Sequence, residues 1–200
     1  MSLIRNMIGE FNEKHGLVHY ERLADTLEVK VKRLHPDAVM PRRAHAGDAG
    51  FDLVAVEDTI IEPGETALIE TGLAFELPEG YEMQIRPRSG VTLKTKLRVQ
   101  IGTIDSNYRG EVGVIVDNTA NKTGLYGSTF DMIDGSVTGI YDENMVQVKA
   151  ETYTYFIRKG DRICQAVIQR LPDVELVEVE ELGDSERGSD GFGSTGVKSE

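Results

Sequence analysis

The chain has 200 residues with a formal net charge of −12, and 40% of its residues are hydrophobic and 28% charged. This length fits one domain with extensions or with a large insertion, and this composition fits a folded globular protein. The acidic balance argues against a sequence-independent nucleic-acid binder, which needs a basic face, so we expect no direct nucleic-acid partner. The acidic balance does not exclude a nucleotide substrate, because a few local cations and backbone amides suffice to bind one.

The single cysteine, Cys164, excludes an intramolecular disulfide framework and speaks against a metal cluster. It lies in the apolar run RICQAVIQ, where a small buried side chain is favoured over a reactive thiol. No run reaches the length of a membrane helix, and the first residues lack the apolar core of a signal peptide. We therefore expect no membrane partner and a cytoplasmic location.

Residues 1–26 are predicted to form an extension with a short helix, because five apolar residues recur there at helical spacing. These residues are Leu3, Ile4, Met7, Ile8 and Phe11. From residue 27 the period changes to an alternation of apolar and polar residues, which is typical of half-buried strands. The strand-like runs are LEVKVKRL, TIIEP, TALIETG, LAFELPEG, YEMQIRP, KLRVQIG, EVGVIVDN, MVQVKAE, YTYFIRKG, RICQAVIQRL and VELVEVEEL. Many short strands with tight turns over residues 27–182 predict an all-β barrel or jelly-roll-like sandwich.

Two segments differ from this strand pattern. Residues 119–145 are rich in Gly, Ser, Thr, Asp and Asn, and we interpret them as a long insertion with room for a small hairpin. Residues 183–200 form a Gly-rich polar arm that cannot build a core by itself. The arm nevertheless contains one arginine and one aromatic residue among residues that are well suited to binding phosphate.

Two polar stretches carry groups suited to a metal-bound phosphate. In AGDAGFDL, Asp48 and Asp52 stand beside small residues, where carboxylates either orient magnesium-bound waters or cap a tight turn. In RPRSGVTLK, Arg88 offers a rigid fork to phosphate, Ser89 adds a hydroxyl and Gly90 lets backbone amides approach an anion. A surface turn with a solvated arginine is the alternative for this second stretch.

Two further stretches carry a carboxylate, an aromatic ring and an amide. In GTIDSNYRGE, Asp105 is a candidate general base toward a water, and Tyr108 presents a flat face three residues later. The alternative is a hairpin turn with a tyrosine covering the core. In KGDRICQAVIQ, Gln165 is a polar residue within an apolar run, suited to holding a phosphate or to cross-linking the fold by hydrogen bonds.

Taken in order, AGDAGFDL, PRSG, GTIDSNYRGE, GDRICQAVI and RGSDGFGSTG resemble the five motifs of the trimeric dUTP pyrophosphatases (dUTPases). The resemblance covers about residues 27–118 and 155–196. It implies a jelly-roll-like β-barrel and a homotrimer with three shared active sites. It also implies Mg²⁺-dependent hydrolysis of dUTP to dUMP and pyrophosphate, which limits uracil in DNA and supplies dUMP for dTMP synthesis.

The resemblance implies roles for single residues in the barrel. Asp105 would activate the water that attacks the α-phosphorus, and Tyr108 would pack against deoxyribose. The backbone at Thr103 and Ile104 would read the uracil edge, while Asp52, with Asp48 as a second candidate, would order the water shell of the metal. The residues expected to hold phosphate oxygens are Arg88, Ser89, Gly90 and Gln165.

In the arm, the resemblance implies a segment that closes over the nucleotide, typically on the site of another subunit. Phe192 would stack on the uracil ring, and Arg187 would reach the γ-phosphate. Gly193, Ser194 and Thr195 would wrap the β and γ oxygens.

Two features depart from the common family pattern. Val99 stands six residues before Asp105, where many relatives have an asparagine that contributes to the uracil pocket. The 119–145 insertion resembles that of dUTPases from some bacteriophages of Gram-positive hosts, in which it lies near the active site and can engage partner proteins.

Two other functions stay open at this stage. One is a regulatory protein-binding role for the insertion, which is compatible with catalysis. The other is a dCTP deaminase, a different reaction on a similar fold. Tyr108 and the complete Gly-rich motif favour the pyrophosphatase over the deaminase.

Overall fold

The computed structural model describes residues 26–186 together with residues 188 and 189. The predicted N-terminal helix lies outside the described residues, as does most of the arm. Short β-strands form nearly all of the regular secondary structure of the described chain, which confirms the prediction of an all-β, jelly-roll-like fold.

Fourteen strands, β1 to β14 in chain order, form three four-stranded sheets and one strand pair within the described residues. The first sheet has the order β1 (Lys30–Arg33), β4 (Thr66–Glu76), β8 (Glu111–Asn118) and β6 (Leu97–Val99). The second has the order β2 (Phe51–Val54), β14 (Arg162–Arg170), β5 (Tyr81–Pro87) and β7 (Gly102–Asp105). The third has the order β11 (Val137–Thr138), β10 (Phe130–Met132), β13 (Tyr155–Ile157) and β3 (Thr59–Ile61), and the pair is β12 (Ala150–Glu151) with β9 (Tyr126–Gly127).

Side-chain alternation along the strands builds a single hydrophobic core. Strand β8 buries Val112, Val114 and Val116, while Ile115 between them stays partly exposed. Because successive side chains of a strand point to opposite faces, this pattern fixes which face of each sheet packs inward. Cys164 is fully buried in the same core, as its apolar run predicts, and burial raises the pKa of its thiol to about 12.

The structure differs from the local predictions at four points. The run VELVEVEEL forms no strand among the described residues, and MVQVKAE contributes only the two residues of β12. Met145, the first residue of the latter run, has a left-handed φ of 61°. A short helix, α1 (Ser89–Lys94), appears where the sequence showed no helical periodicity, because six residues are too few to display it. The runs TALIETG and LAFELPEG join into the single strand β4.

Residues 119–145, which were predicted to be an insertion and for which we keep that name, contain the three strands β9 to β11, of which β10 and β11 form a hairpin. Strand β10 pairs in parallel with β13, and its Phe130 and Met132 are buried. Nearby, the buried Glu151 carboxylate accepts hydrogen bonds from the backbone N–H groups of Thr123 and Gly124, which hold the pKa of this carboxyl below its usual range. The insertion is therefore attached to the body through its own core residues.

Gly72 lies in a break of the β4–β8 pairing, at a point where two other parts of the chain meet. Its φ of +67° is in the left-handed region, and an added Cβ would lie 2.8 Å from the His35 side chain and 2.9 Å from the Ala38 side chain. Its N–H donates to the Glu111 carboxylate, and its carbonyl accepts from the Leu34 N–H. Only glycine combines this backbone conformation with this close approach.

We therefore expect Gly72→Ala to destabilise the protein by about 2–5 kcal/mol, because left-handed strain and steric overlap add. The matched control is Gly64→Ala, at which φ is +79° but no heavy atom lies within 4 Å of an added Cβ. This control carries the backbone strain alone, about 1–2 kcal/mol. Urea unfolding curves of both variants measure the difference, and equal losses would contradict the steric argument.

Candidate active site

Two arginines share one carboxylate at the edge of the second sheet. Arg162 Nη1 donates a 3.0 Å hydrogen bond to Asp52 Oδ2, and Arg88 Nε lies 3.3 Å from Asp52 Oδ1. Arg88 Nη1 also donates to the Arg162 carbonyl at 2.9 Å. Pairing of β2 and β5 with β14 brings these residues together, and the Asp52 side chain is only 11% exposed. Arg162 was not predicted as a site residue, although its place after the Gly-Asp turn that opens β14 was a usable signal.

Two buried atoms of this cluster, Asp52 Oδ1 and Arg88 Nε, face each other in the 3.3 Å ion pair but form no hydrogen bond with any described residue. Their hydrogen-bonding capacity is therefore not used up, and both can still take part in binding a ligand. The arginine N–H can donate to a phosphate oxygen, and the carboxylate oxygen can accept from a water of hydrated Mg²⁺. These residues therefore fit an Mg²⁺ that keeps its waters and is carried on phosphate.

The other predicted phosphate residues lie close by. Gln165 pairs with Asp52 on one side and with Arg86 on the other, and it packs directly on Gly50. Ser89 and Gly90 are the first residues of α1, which follows Arg88.

A cleft of about 370 Å³ adjoins this cluster, and we call it the phosphate cleft. It is lined by Arg88, Gly90, Val91, Lys94, Ile133, Asp134, Gly160, Asp161 and Arg162. Ile133 and Asp134 belong to the β10–β11 turn, so the insertion supplies part of the wall. Hydrogen bonds from the Ser136 hydroxyl and N–H hold the pKa of Asp134 below its usual range.

Asp48 lies outside this cluster, in the turn that precedes β2. Its carboxylate accepts a 2.8 Å hydrogen bond from the His45 N–H, and its own N–H donates to the His45 carbonyl. This is the turn-capping geometry that the sequence left open for this residue.

The Asp105 and Tyr108 segment connects strands of different sheets. Strand β7 pairs with β5, whereas β8 pairs with β4 and β6, so the two arms of this hairpin separate. Asp105 ends β7 with an exposed side chain, Thr103 is exposed and Ile104 packs against the core. The result is an open hairpin with accessible backbone.

Tyr108 lies folded over Gly110. Its hydroxyl donates a 3.0 Å hydrogen bond to the Glu111 carbonyl, and a Cβ added to Gly110 would lie 2.4 Å from the tyrosine oxygen. The Tyr108 ring can lie here only because residue 110 is a glycine and has no side chain. Val99, in contrast, is buried in the core on β6, so its side chain is not accessible to a ligand.

One chain does not bring Asp105 to the arginine cluster. Asp105 pairs with Glu82, whereas Gln165 and Asp52 share a row with Arg86, four residues further along β5. With strands about 4.8 Å apart and about 3.3 Å of rise per residue, the Asp105 and Asp52 backbones are about 20 Å apart. The predicted arm residues Arg187, Phe192, Gly193, Ser194 and Thr195 lie outside the described residues.

Two features are absent from the part of the chain that the structure describes. None of the described residues forms a group of three or more His, Cys, Asp or Glu side chains that could hold a metal ion. No helix in this part of the chain is long and apolar enough to cross a membrane.

The all-β fold, with its arginine cluster and open hairpin, is suited to a class of proteins that bind a phosphorylated ligand at a sheet edge. Within this class, the family model that matches the chain is that of the dUTPases, over residues 37–126 and 132–196. The chain belongs to the dUTPase family, as its five motifs predict.

Curated relatives agree with this assignment. The chain is 42% identical over 172 residues to the deoxyuridine 5'-triphosphate nucleotidohydrolase of Nautilia profundicola, and the match covers 85% of this chain and 99% of the relative. It is 43% identical over 173 residues to the protein of the same name from Thermobifida fusca, covering 86% and 80%.

Solved structures of phage proteins are also similar. A mutant dUTPase of Staphylococcus bacteriophage 80alpha with dUpNHpp matches with a TM-score of 0.80 and 38% identity, covering 86% of this chain and 100% of that one. The dUTPase of phage phi11 of S. aureus, described for its species-specific insert, matches with a TM-score of 0.72 and 34% identity, covering 78% and 97%. A mutant of that phi11 protein is described as coordinating a structural Mg(II) ion.

Proposed function

We propose that this protein hydrolyses dUTP to dUMP and pyrophosphate, with Mg²⁺ carried on the triphosphate as part of the substrate. Membership of the dUTPase family and relatives named for this activity support the proposal. The structural observation that carries it is the arginine cluster, in which a buried carboxylate holds two guanidinium groups at the phosphate cleft. A dCTP deaminase has no comparable support, so the pyrophosphatase is the function we propose.

The chemistry requires positioning and charge stabilisation more than an elaborate nucleophile. In this proposal, Arg88, Ser89, Gly90 and Gln165 hold the phosphate oxygens. Asp52 keeps the arginines in place and accepts from a metal-bound water, while Asp48 only shapes the turn. Mg²⁺ would offset part of the triphosphate charge and withdraw electron density from the α-phosphorus.

Asp105 is proposed to accept a proton from the water that attacks the α-phosphorus. Its exposed carboxylate at the end of β7 is accessible to such a water. Tyr108, held over Gly110, is proposed to pack against deoxyribose and to leave no space for a 2′-hydroxyl. The backbone at Thr103 and Ile104 would then read the uracil edge, without help from the buried Val99 side chain.

The arm completes the proposed site. Phe192 is proposed to stack on the base, while Arg187, Gly193, Ser194 and Thr195 contact the terminal phosphates. We also propose a cytoplasmic location, which agrees with the single free cysteine, a residue that need not pair in a reducing compartment.

We further propose a homotrimer with shared active sites. The separation of about 20 Å between Asp105 and Asp52 supports it, because a water activated by one cannot reach a phosphate held by the other within a single chain. A second chain can supply the missing half of the site.

Exposed apolar surfaces support the association of subunits. The segment 174–182 exposes Val174, Leu176, Val177, Val179 and Leu182. Among the described residues, strand β1 pairs only with β4, and its other edge lies beside an apolar groove of about 530 Å³. This groove is lined by apolar side chains that include Val29, Val31, Phe51, Phe75, Met83 and Ile168. An extended segment from a neighbouring chain would pair with this edge and fill the groove.

The first prediction concerns the substrate and the base. Purified protein with Mg²⁺ should release pyrophosphate from dUTP far faster than from dTTP, dCTP or UTP, and equal rates would remove the proposed specificity.

Asp105→Asn should keep nucleotide binding but lower kcat by about 100-fold or more, because the general base is lost. Asp142→Asn, in the insertion, is the matched control and should leave kcat unchanged.

The second prediction tests the shared site by mixing subunits. Asp105→Asn and Arg88→Ala should each be inactive alone. When the two variants are unfolded and refolded together, activity should reappear, because about a quarter of randomly mixed shared sites combine an intact Asp105 with an intact Arg88. Continued inactivity of mixed trimers, verified by native mass measurement, would place both residues in one chain's site.

A regulatory protein-binding role for the insertion is a second candidate function. The observation that favours it is the number of large apolar side chains exposed in and beside the insertion, which is more than a solvated loop requires. They are Leu125, Tyr126, Val137, Tyr141, Met145 and Val146. Such a surface would dock a protein partner without taking part in hydrolysis.

The test must spare the core, because deletion of the insertion would remove Phe130 and Met132 from it. Substitution of Tyr126, Tyr141 and Met145 by serine should abolish capture of a partner from host extract while dUTP hydrolysis is retained. The matched control replaces the distant exposed Leu93 by serine. If capture survives the triple substitution, the insertion is not the docking element.

A further inference from the structure

A second cleft, of about 330 Å³, lies between the insertion and the segment from α1 to β6. One wall carries three cationic side chains, Lys94, Lys96 and Arg98. The cleft is also lined by Asp131 of β10, by Tyr153 just before β13 and by Tyr155, the first residue of β13. We call this the lysine cleft. Lys94 also lines the phosphate cleft, so the two clefts are neighbours.

The cations of the lysine cleft have no acidic partner. None of the three forms an ion pair with a described carboxylate, although the chain has 34 acidic residues and only 22 lysines and arginines. With three positive charges and one carboxylate, the lining carries a net charge of +2 (3 − 1) at neutral pH. In a protein of net charge −12, this concavity is a local region of positive potential.

Backbone hydrogen bonds hold the guanidinium of Arg98 and the main chain at Lys96 in place, so part of the cationic wall is preorganised. Arg98 Nη1 donates to the carbonyls of Thr92, Thr95 and Leu97 at 3.3, 3.1 and 2.7 Å, which holds the guanidinium against the end of α1. The Lys96 N–H donates to the hydroxyl of Tyr155, which is buried. A site whose charges are already in place loses less conformational entropy when it binds an anion.

The carboxylate of the cleft is that of Asp131, which lies partly buried on β10 between the buried Phe130 and Met132. Both Asp131 and Met132 line the cleft. Partial burial raises the pKa of Asp131 above its usual range. Its negative charge opposes any anion in the cleft, so its removal should have an effect opposite to the removal of a lysine.

We propose that the lysine cleft is a second anion site, separate from the phosphate cleft, and that it takes a phosphate-type oxyanion such as pyrophosphate. Only the source of this ligand rests on the proposed function, since dUTP hydrolysis would release pyrophosphate in the neighbouring cleft. Lys94, which borders both clefts, lies on the path between them. Occupancy of the lysine cleft would thus keep the product close to the enzyme after the first cleft is vacated.

The experiment is a calorimetric titration of the full chain with sodium pyrophosphate, and separately with inorganic phosphate, while dUpNHpp and Mg²⁺ saturate the active site. One further anion per chain should bind. Lys96→Gln, which leaves the phosphate cleft intact, should weaken this binding about tenfold, the effect of losing one charged contact. Asp131→Asn should strengthen it by several-fold. If pyrophosphate binds and inorganic phosphate does not, the proposal holds and the site requires the larger anion.

Matched controls make the outcome decisive. Lys149→Gln and Glu143→Gln change the charge by the same amounts outside the cleft, and neither should alter the affinity. The proposal is overturned if the saturated protein binds no further anion, or if Lys96→Gln and Lys149→Gln behave alike. Failure of the proposed function would instead appear as absence of pyrophosphate release from dUTP, which this binding measurement does not involve.

Discussion

The buried carboxylate of Asp52 is the interaction on which the site depends. It lies on β2, and it holds one arginine that follows β5 and another that opens β14, so it ties three neighbouring strands together at one sheet edge. Its removal would leave two guanidinium groups without an anion, and their repulsion would open the cleft. The strands determine the backbone positions of the two arginines, and the carboxylate determines where their guanidinium groups lie. Helix α1 then starts beside this fixed pair of charges.

The strands that carry strong alternation could be predicted from the sequence. Strand β8 is an example, because its valines are spaced for one buried face and turn residues bound it. The VELVEVEEL run has the same alternation and forms no strand among the described residues, because a strand needs a partner and alternation does not reveal whether one exists in the same chain. Helix α1 was missed for a different reason. Six residues are too few to show a helical repeat of apolar side chains. The position of this helix is defined instead by the packing of Val91 in the core.

The site residues that could be predicted from the sequence are those for which side-chain chemistry and motif spacing indicate the same role. Arg88 and Asp52 were singled out for a phosphate and its metal, and the structure places them in one cluster. What the motifs could not reveal is that Asp52 pairs with Arg162, since the two are distant in sequence and meet only through the β2–β14 register. Nor could they indicate that Asp105 lies about 20 Å from Asp52 on the same sheet. Motif order along a chain carries no information about which subunit completes a site.

The hairpin of the insertion covers a strand edge that could otherwise pair with another molecule. Strand β10 covers the edge of β13, and the two-residue β11 then ends the sheet. If the insertion were removed, the buried strand β13 would present free N–H and C=O groups and the apolar pair Tyr155 and Ile157 to solvent. Such an edge can pair with the same edge of another molecule and start aggregation. In the folded chain, β10 and β11 keep this edge covered.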